Sequence, residues 1–350
     1  MFKLEYLQAQ SSVHLYVLAA ATVVVSVLAV CLVQFYNYLT KGRCTSTKRM
    51  DGKTVIITGA NSGIGKETAK ELAKRGARVI MACRNLDSAS KVRGIYTLTA
   101  VRKILLVMVF ILCDESGSLE SVRDFADDIN RTESRLDVLI HNAGVANTFG
   151  RKTTAEGLEL TMATNQYGPF LLTHLLINLL KKSGPSRIVI VASSLYRLAT
   201  LNLTNANPVS ALPAYLYYVS KYANIVFTLE LARRLKGTNV TANCLHPGMI
   251  DSGIWRNVPF PMNLPVKLIV KLFFKTPQEG AQTTIHLAVS DDVKNVSGKY
   301  FADCREAGLT TAIQDESFGK KYWEICEKLV QLKDSEPHLN VDCPSILLQK

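Results

Sequence analysis

Lys53-Thr-Val-Ile-Ile-Thr58-Gly59-Ala60-Asn61-Ser62-Gly63-Ile64-Gly65-Lys66-Glu67-Thr68-Ala-Lys-Glu-Leu-Ala-Lys-Arg75 is the stretch that decides the fold of this chain. A short β-branched run, a glycine cluster and then apolar positions at helical spacing make the first half of a β-α-β unit. The helix is predicted to stop at Gly76, and Ala77-Arg-Val-Ile-Met-Ala-Cys83 reads as a second strand. The glycines have a physical use, because a pyrophosphate can meet the free N–H groups of a helix N-terminus only where no side chain intervenes. A glycine-rich turn by itself is often an ordinary loop, and its placement between strand and helix is what makes it informative.

Toward the N-terminus, Leu7 to Thr40 contains no Lys, Arg, Asp or Glu, and Val17 to Tyr36 holds only Thr22, Ser26 and Gln34 as strongly polar members. About 20 such residues, at about 1.5 Å each, cross a hydrocarbon core as a helix. A cleaved signal peptide is the rival reading, but Leu32-Val33-Gln34-Phe35-Tyr36 supplies no small-x-small cleavage site. Lys41, Arg43, Lys48 and Arg49 follow the span, whereas Lys3 and Glu5 nearly cancel before it, which predicts that the bulk of the chain faces the cytosol. The sequons at Asn130, Asn202, Asn239 and Asn295 offer a test, since glycans there would mean a luminal domain.

Composition bounds the rest. The 350 residues suit one large domain plus an appendage, or two small domains, and at 48% hydrophobic and 20% charged, with mean hydropathy +0.12, they do not suit a polytopic membrane protein. Eight cysteines, at 31, 44, 83, 113, 244, 304, 326 and 343, have neither metal-ligand spacing nor the density of a disulfide scaffold, and read as reduced thiols. The net charge of +12 is partly accounted for by five Lys or Arg against one Glu in residues 1–50. No basic stripe interleaved with aromatic residues accompanies it, so nucleic acid is a poor candidate partner.

Downstream, Ile104-Leu-Leu-Val-Met-Val-Phe-Ile-Leu-Cys113 is too short to span a bilayer and reads as a buried parallel strand. Leu136-Asp-Val-Leu-Ile-His141-Asn142-Ala143-Gly144 is another apolar strand, with His141 read as packed at its end. Arg187-Ile-Val-Ile-Val-Ala-Ser193-Ser194 is a third, aiming a hydroxyl at the sheet edge where ligands bind in doubly wound folds. Tyr217-Tyr218-Val219-Ser220-Lys221 holds the one Tyr-x3-Lys pair in the chain. On a helix those two side chains share a face, and a lysine there can stabilise the phenolate of a tyrosine whose ordinary pKa is near 10.

The spacing Thr58-Gly59-x-x-x-Gly63-x-Gly65 resembles the short-chain dehydrogenase/reductase family. The run from Gly42-Arg-Cys-Thr-Ser-Thr to Ala82-Cys83-Arg84 is similar to its membrane-anchored, retinol dehydrogenase-like branch. The resemblance covers roughly residues 42 to 330 and implies an α/β fold: a Rossmann-type doubly wound parallel sheet in a single domain, behind an N-terminal transmembrane helix. The expected organisation is an N-terminal segment 1–12, anchor 13–38, basic linker 39–50, catalytic domain 51–332 and loose tail 333–350. The pattern falters between Asn85 and Leu119, where Lys91-Val-Arg-Gly94-Ile-Tyr-Thr-Leu-Thr99 is poor in helix formers.

The resemblance also implies roles. Tyr217 protonates a carbonyl oxygen, Lys221 lowers the Tyr217 pKa and binds the nicotinamide ribose, Ser194 orients the carbonyl, and Asn165, in Ala163-Thr-Asn165-Gln-Tyr-Gly168, supports a water relay from Lys221. Gly59, Asn61, Ser62, Gly63, Ile64, Gly65, Asp114, Asn142, Ala143 and Gly144 line the cofactor. The turn His246-Pro247-Gly248, with Ser252 after it, closes over the nicotinamide. Arg84, where an acidic residue would select NAD, favours NADP(H) by pairing with the 2′-phosphate; the bland alternative is a solvated loop charge.

Substrate preference is expected from Gly253 to Thr276, where Ile254, Trp255, Phe260, Leu268, Phe273 and Phe274 are punctuated by Arg256, Lys267, Lys271 and Lys275. That composition fits membrane lipid contact, a hydrophobic lid or an oligomer contact such as a homodimer's, and each favours a bulky lipophilic carbonyl over a sugar or a small acid. The resemblance implies a retinoid-like carbonyl or alcohol, with a steroid or other lipid carbonyl as the alternative. The expected place is the endoplasmic reticulum membrane. The rival from another class is a catalytically impaired binding or scaffold protein that keeps the fold.

Overall fold

The computed structural model describes residues 2–83, 104–108, 118–146, 150, 152–250, 270 and 274–339. Strand β1 (Thr54–Thr58) is buried along its whole length, as its uninterrupted Thr-Val-Ile-Ile-Thr run requires of a central parallel strand. Successive side chains go to opposite faces, so Ile56 joins one core while Val55 and Ile57 join the other. Helix α2 (Gly63–Lys74) and strand β2 (Arg78–Cys83) complete the unit read from sequence. β2 pairs parallel to β1 with Ile56 opposite Ile80.

Strand β3 (Ile104–Met108) pairs parallel to β2, so the apolar run that begins at Ile104 does supply a strand; residues 109–113 of that run lie outside the described residues. The chain continues through α3 (Leu119–Thr132), β4 (Val138–His141), a helical turn Leu160–Met162, a π-turn Ala163–Tyr167 and α4 (Gly168–Ser183). Then come β5 (Ser186–Val191), α5 (Pro213–Arg234), β6 (Val240–His246), α6 (Pro277–Val289), β7 (Tyr300–Ala302), β8 (Arg305–Glu306) and α7 (Glu316–Leu329). Strand order is β3-β2-β1-β4-β5-β6-β7-β8, parallel except for the β7–β8 pair. The order reverses between β1 and β4, which puts a crevice beyond their C-terminal ends.

Side chains of α2 and α6 pack on one face of the sheet, and those of α3, α4 and α5 on the other. On the second face, Trp323 of α7 meets Phe170 and Phe227 at ring separations of 4.8 and 5.8 Å, so α4 and α5 are covered on both sides. That double cover explains why these helices carry apolar residues nearly all round.

Two readings of the domain edges differ from the structure. Residues 42–50, expected as a linker, lie on the domain: Gly42 N donates to Asp303 Oδ1 at 3.0 Å, Cys44 N to Gln282 Oε1 at 3.1 Å, Arg75 Nη1 to the Ser46 carbonyl at 2.7 Å, and Met50 is buried. Backbone groups satisfied this way by side chains order the segment without regular structure. The start of the tail is also held, with Arg123 Nε donating to Glu336 Oε1 at 2.6 Å and Leu339 buried.

A second unit contains helix α1 (Phe2–Thr40), longer than the expected 13–38. Its stretch Tyr16–Thr40 is long and apolar enough to cross a membrane. The hydroxyls of Thr22 and Ser26 donate to carbonyls four residues back, Leu18 O and Thr22 O, each at 2.8 Å, which removes the cost of polar groups in an apolar medium.

Candidate active site

The glycine turn after β1 is stitched to the end of β4. Thr58 Oγ1 accepts from Asn142 N and Ala143 N, both at 3.0 Å, and Asn142 Nδ2 donates to Thr58 O at 2.9 Å and Gly59 O at 3.1 Å. Gly59 has φ +67, and a Cβ at Gly65 would stand 2.4 Å from both Asn142 Nδ2 and Gly59 O. The turn therefore tolerates no side chain at residue 65 and leaves an open cradle beside Asn61, Ser62, Gly63 and Ile64. Ser62 caps α2 without a side-chain bond, and the first turn of α2 has no acidic residue, so its N–H groups and the positive end of its dipole stay available to an anion. These residues fit a dinucleotide pyrophosphate. Arg84 and Asp114 lie outside the described residues.

Helix α5 supplies the next groups. Tyr217 and Lys221 stand one turn apart, with Lys221 Nζ 5.5 Å from the Tyr217 ring centroid. Lys221 is 4% exposed and donates to the Val191 carbonyl at 2.7 Å, and burial brings its ammonium down to about 8. Burial raises the Tyr217 phenol to about 12, opposed by a hydrogen bond with Ser193. A Cβ on Gly144 would stand 3.6 Å from both Lys221 Nζ and Asn165 Oδ1, so the end of β4, the π-turn and α5 converge there. Asn165 clamps this junction: its Oδ1 accepts from Val145 N, and its Nδ2 donates to Val145 O and Ser220 Oγ, all at 2.9 Å.

The two serines after β5 divide. Ser193 bonds Tyr217, whereas Ser194 Oγ lies 3.2 Å from His246 Nε2, on β6. Burial pulls the His246 imidazole down to about 4, leaving it neutral at pH 7. The Pro247-Gly248 turn follows, and a Cβ on Gly248 (φ +95) would be 2.8 Å from the Lys275 chain. Lys275 fixes that turn by donating its N–H to Met249 O at 2.8 Å while its Nζ pairs with Asp303 Oδ1 at 2.5 Å. Ser252 lies outside the described residues, as does all but Val270 and Phe274–Thr276 of the segment 253–276. His141 is packed, its Nε2 2.8 Å from Thr173 Oγ1 and its pKa driven to about 3 by burial.

Sequence reasoning did not single out Ser193, the His246 side chain or the Lys275–Asp303 pair. Ser193 was visible as the neighbour of Ser194, but strand alternation does not say which hydroxyl turns toward a helix 20 residues on. Lys275 and Asp303 are joined only in space.

A parallel sheet with a glycine cradle after its first strand and a Tyr-x3-Lys helix beside it is the framework of a dehydrogenase or reductase. The chain belongs to the short chain dehydrogenase family, whose model matches residues 53–260. Retinol dehydrogenase 14 of Mus musculus is 45% identical over 295 residues, covering 80% of this chain and 86% of the relative. Retinol dehydrogenase 11 of Homo sapiens is 42% identical over 299 residues, covering 85% and 92%. Among solved structures, a protein described as a short chain dehydrogenase of Escherichia coli CFT073, complexed with NADPH, matches with a TM-score of 0.58 and 25% identity over 74% of this chain and 100% of that one.

Proposed function

We propose that the chain is a membrane-anchored, NADP(H)-dependent oxidoreductase that interconverts a lipophilic, retinoid-like carbonyl and its alcohol, with Tyr217 as acid and base. The observation that carries this reading is the convergence of Tyr217, Lys221, Asn165 and a serine hydroxyl beside the glycine cradle. Gly59, Asn61, Ser62, Gly63, Ile64 and Gly65 would hold the pyrophosphate, with Asn142, Ala143, Gly144, Lys221, Pro247, Gly248 and Ser252 around the nicotinamide ribose and ring. Arg84 would take the 2′-phosphate and Asp114 the adenine. The bound cofactor supplies the hydride.

Tyr217 then gives its proton to the carbonyl oxygen. With its pKa near 12 it is fully protonated at neutral pH, the form reduction needs. The phenolate left behind faces the Lys221 ammonium, which favours the charged form. Ser194, released from His246, orients the carbonyl. Because the cytosolic NADP pool is mostly reduced, reduction is the dominant direction in this reading.

Support for a lipophilic substrate comes from the retinol dehydrogenase relatives and from exposed apolar residues flanking the catalytic positions: Leu195 and Leu198 after Ser194, Leu212 and Tyr215 before Tyr217, and Met249 after Gly248. The anchor would place the domain on the cytosolic face of the endoplasmic reticulum. The apolar segment near 253–276 would meet lipid or a second copy of the chain. An NADPH fluorescence titration followed by turnover of all-trans-retinal tests the reading. Wild type should bind and reduce, and Tyr217→Phe should bind NADPH but lose reduction. NADPH binding without turnover of any lipophilic aldehyde by the wild type would favour a scaffold, and undiminished turnover by Tyr217→Phe would overturn the mechanism.

A further inference from the structure

The π-turn that carries Asn165 has a cause in the sequence. In an α-helix the Asn165 carbonyl would accept from the N–H of residue 169, but residue 169 is proline, which has no N–H and whose ring crowds that same carbonyl. The helix widens into the π-turn Ala163–Tyr167, where the Gly168 N–H donates to the Ala163 carbonyl five residues back, and the Asn165 carbonyl is opened to a side-chain donor. Asn224 of α5 supplies it: its Nδ2 donates to Asn165 O at 2.7 Å and to Gln166 Oε1 at 2.9 Å, while its Oδ1 faces Lys221 Nζ at 3.4 Å. The Asn165 carbonyl can only accept, so the amide cannot be flipped without placing oxygen against oxygen. Asn224 is 1% exposed, and its side chain stands between Lys221 and Asn165.

We propose that Asn224 is a positioning residue of the reaction, a fixed amide bridge between the Lys221 ammonium and the Asn165 carbonyl where a water-based relay would need a solvent molecule. The proposal rests on the function argued above and refines it: Lys221 is held by the Val191 carbonyl on one side and Asn224 on the other. Among the described residues, the groups facing Lys221 are uncharged at neutral pH, and burial alone shifts its pKa. They are Tyr217 and Asn224 on its own helix, the Val191 carbonyl from the β5 end, Gly144 from the β4 end and Asn165 from the π-turn, while Gln166 meets Asn224, Ser193 meets Tyr217 and the neutral His246 of β6 meets Ser194. Among the described residues the Asn224 oxygen is thus one of two acceptors bonded to Lys221 Nζ, and its chemistry should set where Lys221 titrates.

The test uses full-length chain in detergent, with Asn224→Leu, Asn224→Ala and Asn224→Asp. Competitive labelling with acetic anhydride from pH 6.5 to 10, read at Lys221 by peptide mass spectrometry, reports its protonation whether or not the chain turns over. Removing the acceptor should move the Lys221 midpoint down by about 1 pH unit, and a carboxylate in its place should move it up by at least as much. The alkaline limb of retinal reduction should follow in the same two directions. A merely structural asparagine would lower the melting temperature in all three variants without opposite shifts. If Leu or Ala fails to fold, the Asp variant alone decides through the sign of its shift. Midpoints unchanged in folded variants overturn the proposal. Shifted Lys221 labelling in a wild-type background that reduces no aldehyde would instead break the function and leave the bridge standing.

Discussion

Lys221 should cost the fold stability, and the cost can be worked out. Its ordinary pKa of 10.5 falls to about 8 through burial. At about 1.36 kcal/mol per pH unit, the gap corresponds to about 3 kcal/mol. Below pH 8 the folded chain must bury a protonated ammonium and bears the whole penalty. Between about pH 8 and 10.5 the unfolded chain binds more protons than the folded one, so the penalty fades as pH rises. Replacing Lys221 by Met removes the charge but also the donor that serves Val191 O and Asn224 Oδ1, a loss of about 1 kcal/mol. Lys221→Met should therefore be more stable than wild type by about 2 kcal/mol at pH 7, and by less than about 0.5 kcal/mol at pH 9.5, with the order reversing near pH 10. Urea unfolding of the cofactor-free chain in detergent at those pH values measures this, while turnover should be lost throughout. A variant less stable at pH 7, or a difference that does not narrow with pH, would refute the reasoning.

Four further outcomes are expected. Gly65→Ala, whose Cβ would fall 2.4 Å from Asn142 Nδ2 and Gly59 O, should weaken NADPH binding by about 10- to 100-fold in a fluorescence titration. Gly157→Ala, at φ +77 with nothing within 4 Å, should cost about 1 kcal/mol in urea unfolding and leave NADPH affinity alone. Ser194→Ala should lower kcat for reduction by about 100-fold, whereas Ser193→Ala should slow alcohol oxidation more than reduction, because its bond to Tyr217 favours the phenolate; equal effects of the two variants in both directions would contradict the division of the serines. In cells, Asn202 and Asn295, both exposed, should carry no glycan by peptide mass spectrometry, and a glycan at either would reverse the orientation.

The sequence carried the fold where periodicity and local chemistry coincide. The β1–α2–β2 unit was legible because a β-branched run, a glycine turn and a helical stripe are each local signals, and they agree. The strand at Ile104–Met108 was legible from apolarity alone, although its flanks lacked the expected helix pattern. The edges of the domain were less so. Residues 42–50 look like a polar, basic linker, and what orders them is a set of partners more than 200 residues away, Gln282 and Asp303, together with Arg75. The same holds for Arg123 and Glu336, 213 positions apart, which secure the start of the tail.

The candidate site divides along the same line. Tyr217, Lys221, Ser194 and Asn165 could be named because each sits at a fixed offset from a strand end or a helix neighbour. Asn224 could not, since three residues past Lys221 on a helix buried nearly all round it looks like one more packed position. Its role follows only when Pro169 is placed opposite it, for the proline withholds the N–H that an α-helix would give the Asn165 carbonyl and the asparagine is what reaches that carbonyl. Both residues are polar or helix-breaking intrusions into apolar helices, and each alone should destabilise its element. Paired, the intrusions cancel and leave an amide oxygen facing the one lysine that must be kept charged in a buried place. Departures from the apolar pattern of α4 and α5 therefore report where the sheet edge holds its chemistry, and the reading needs both helices at once.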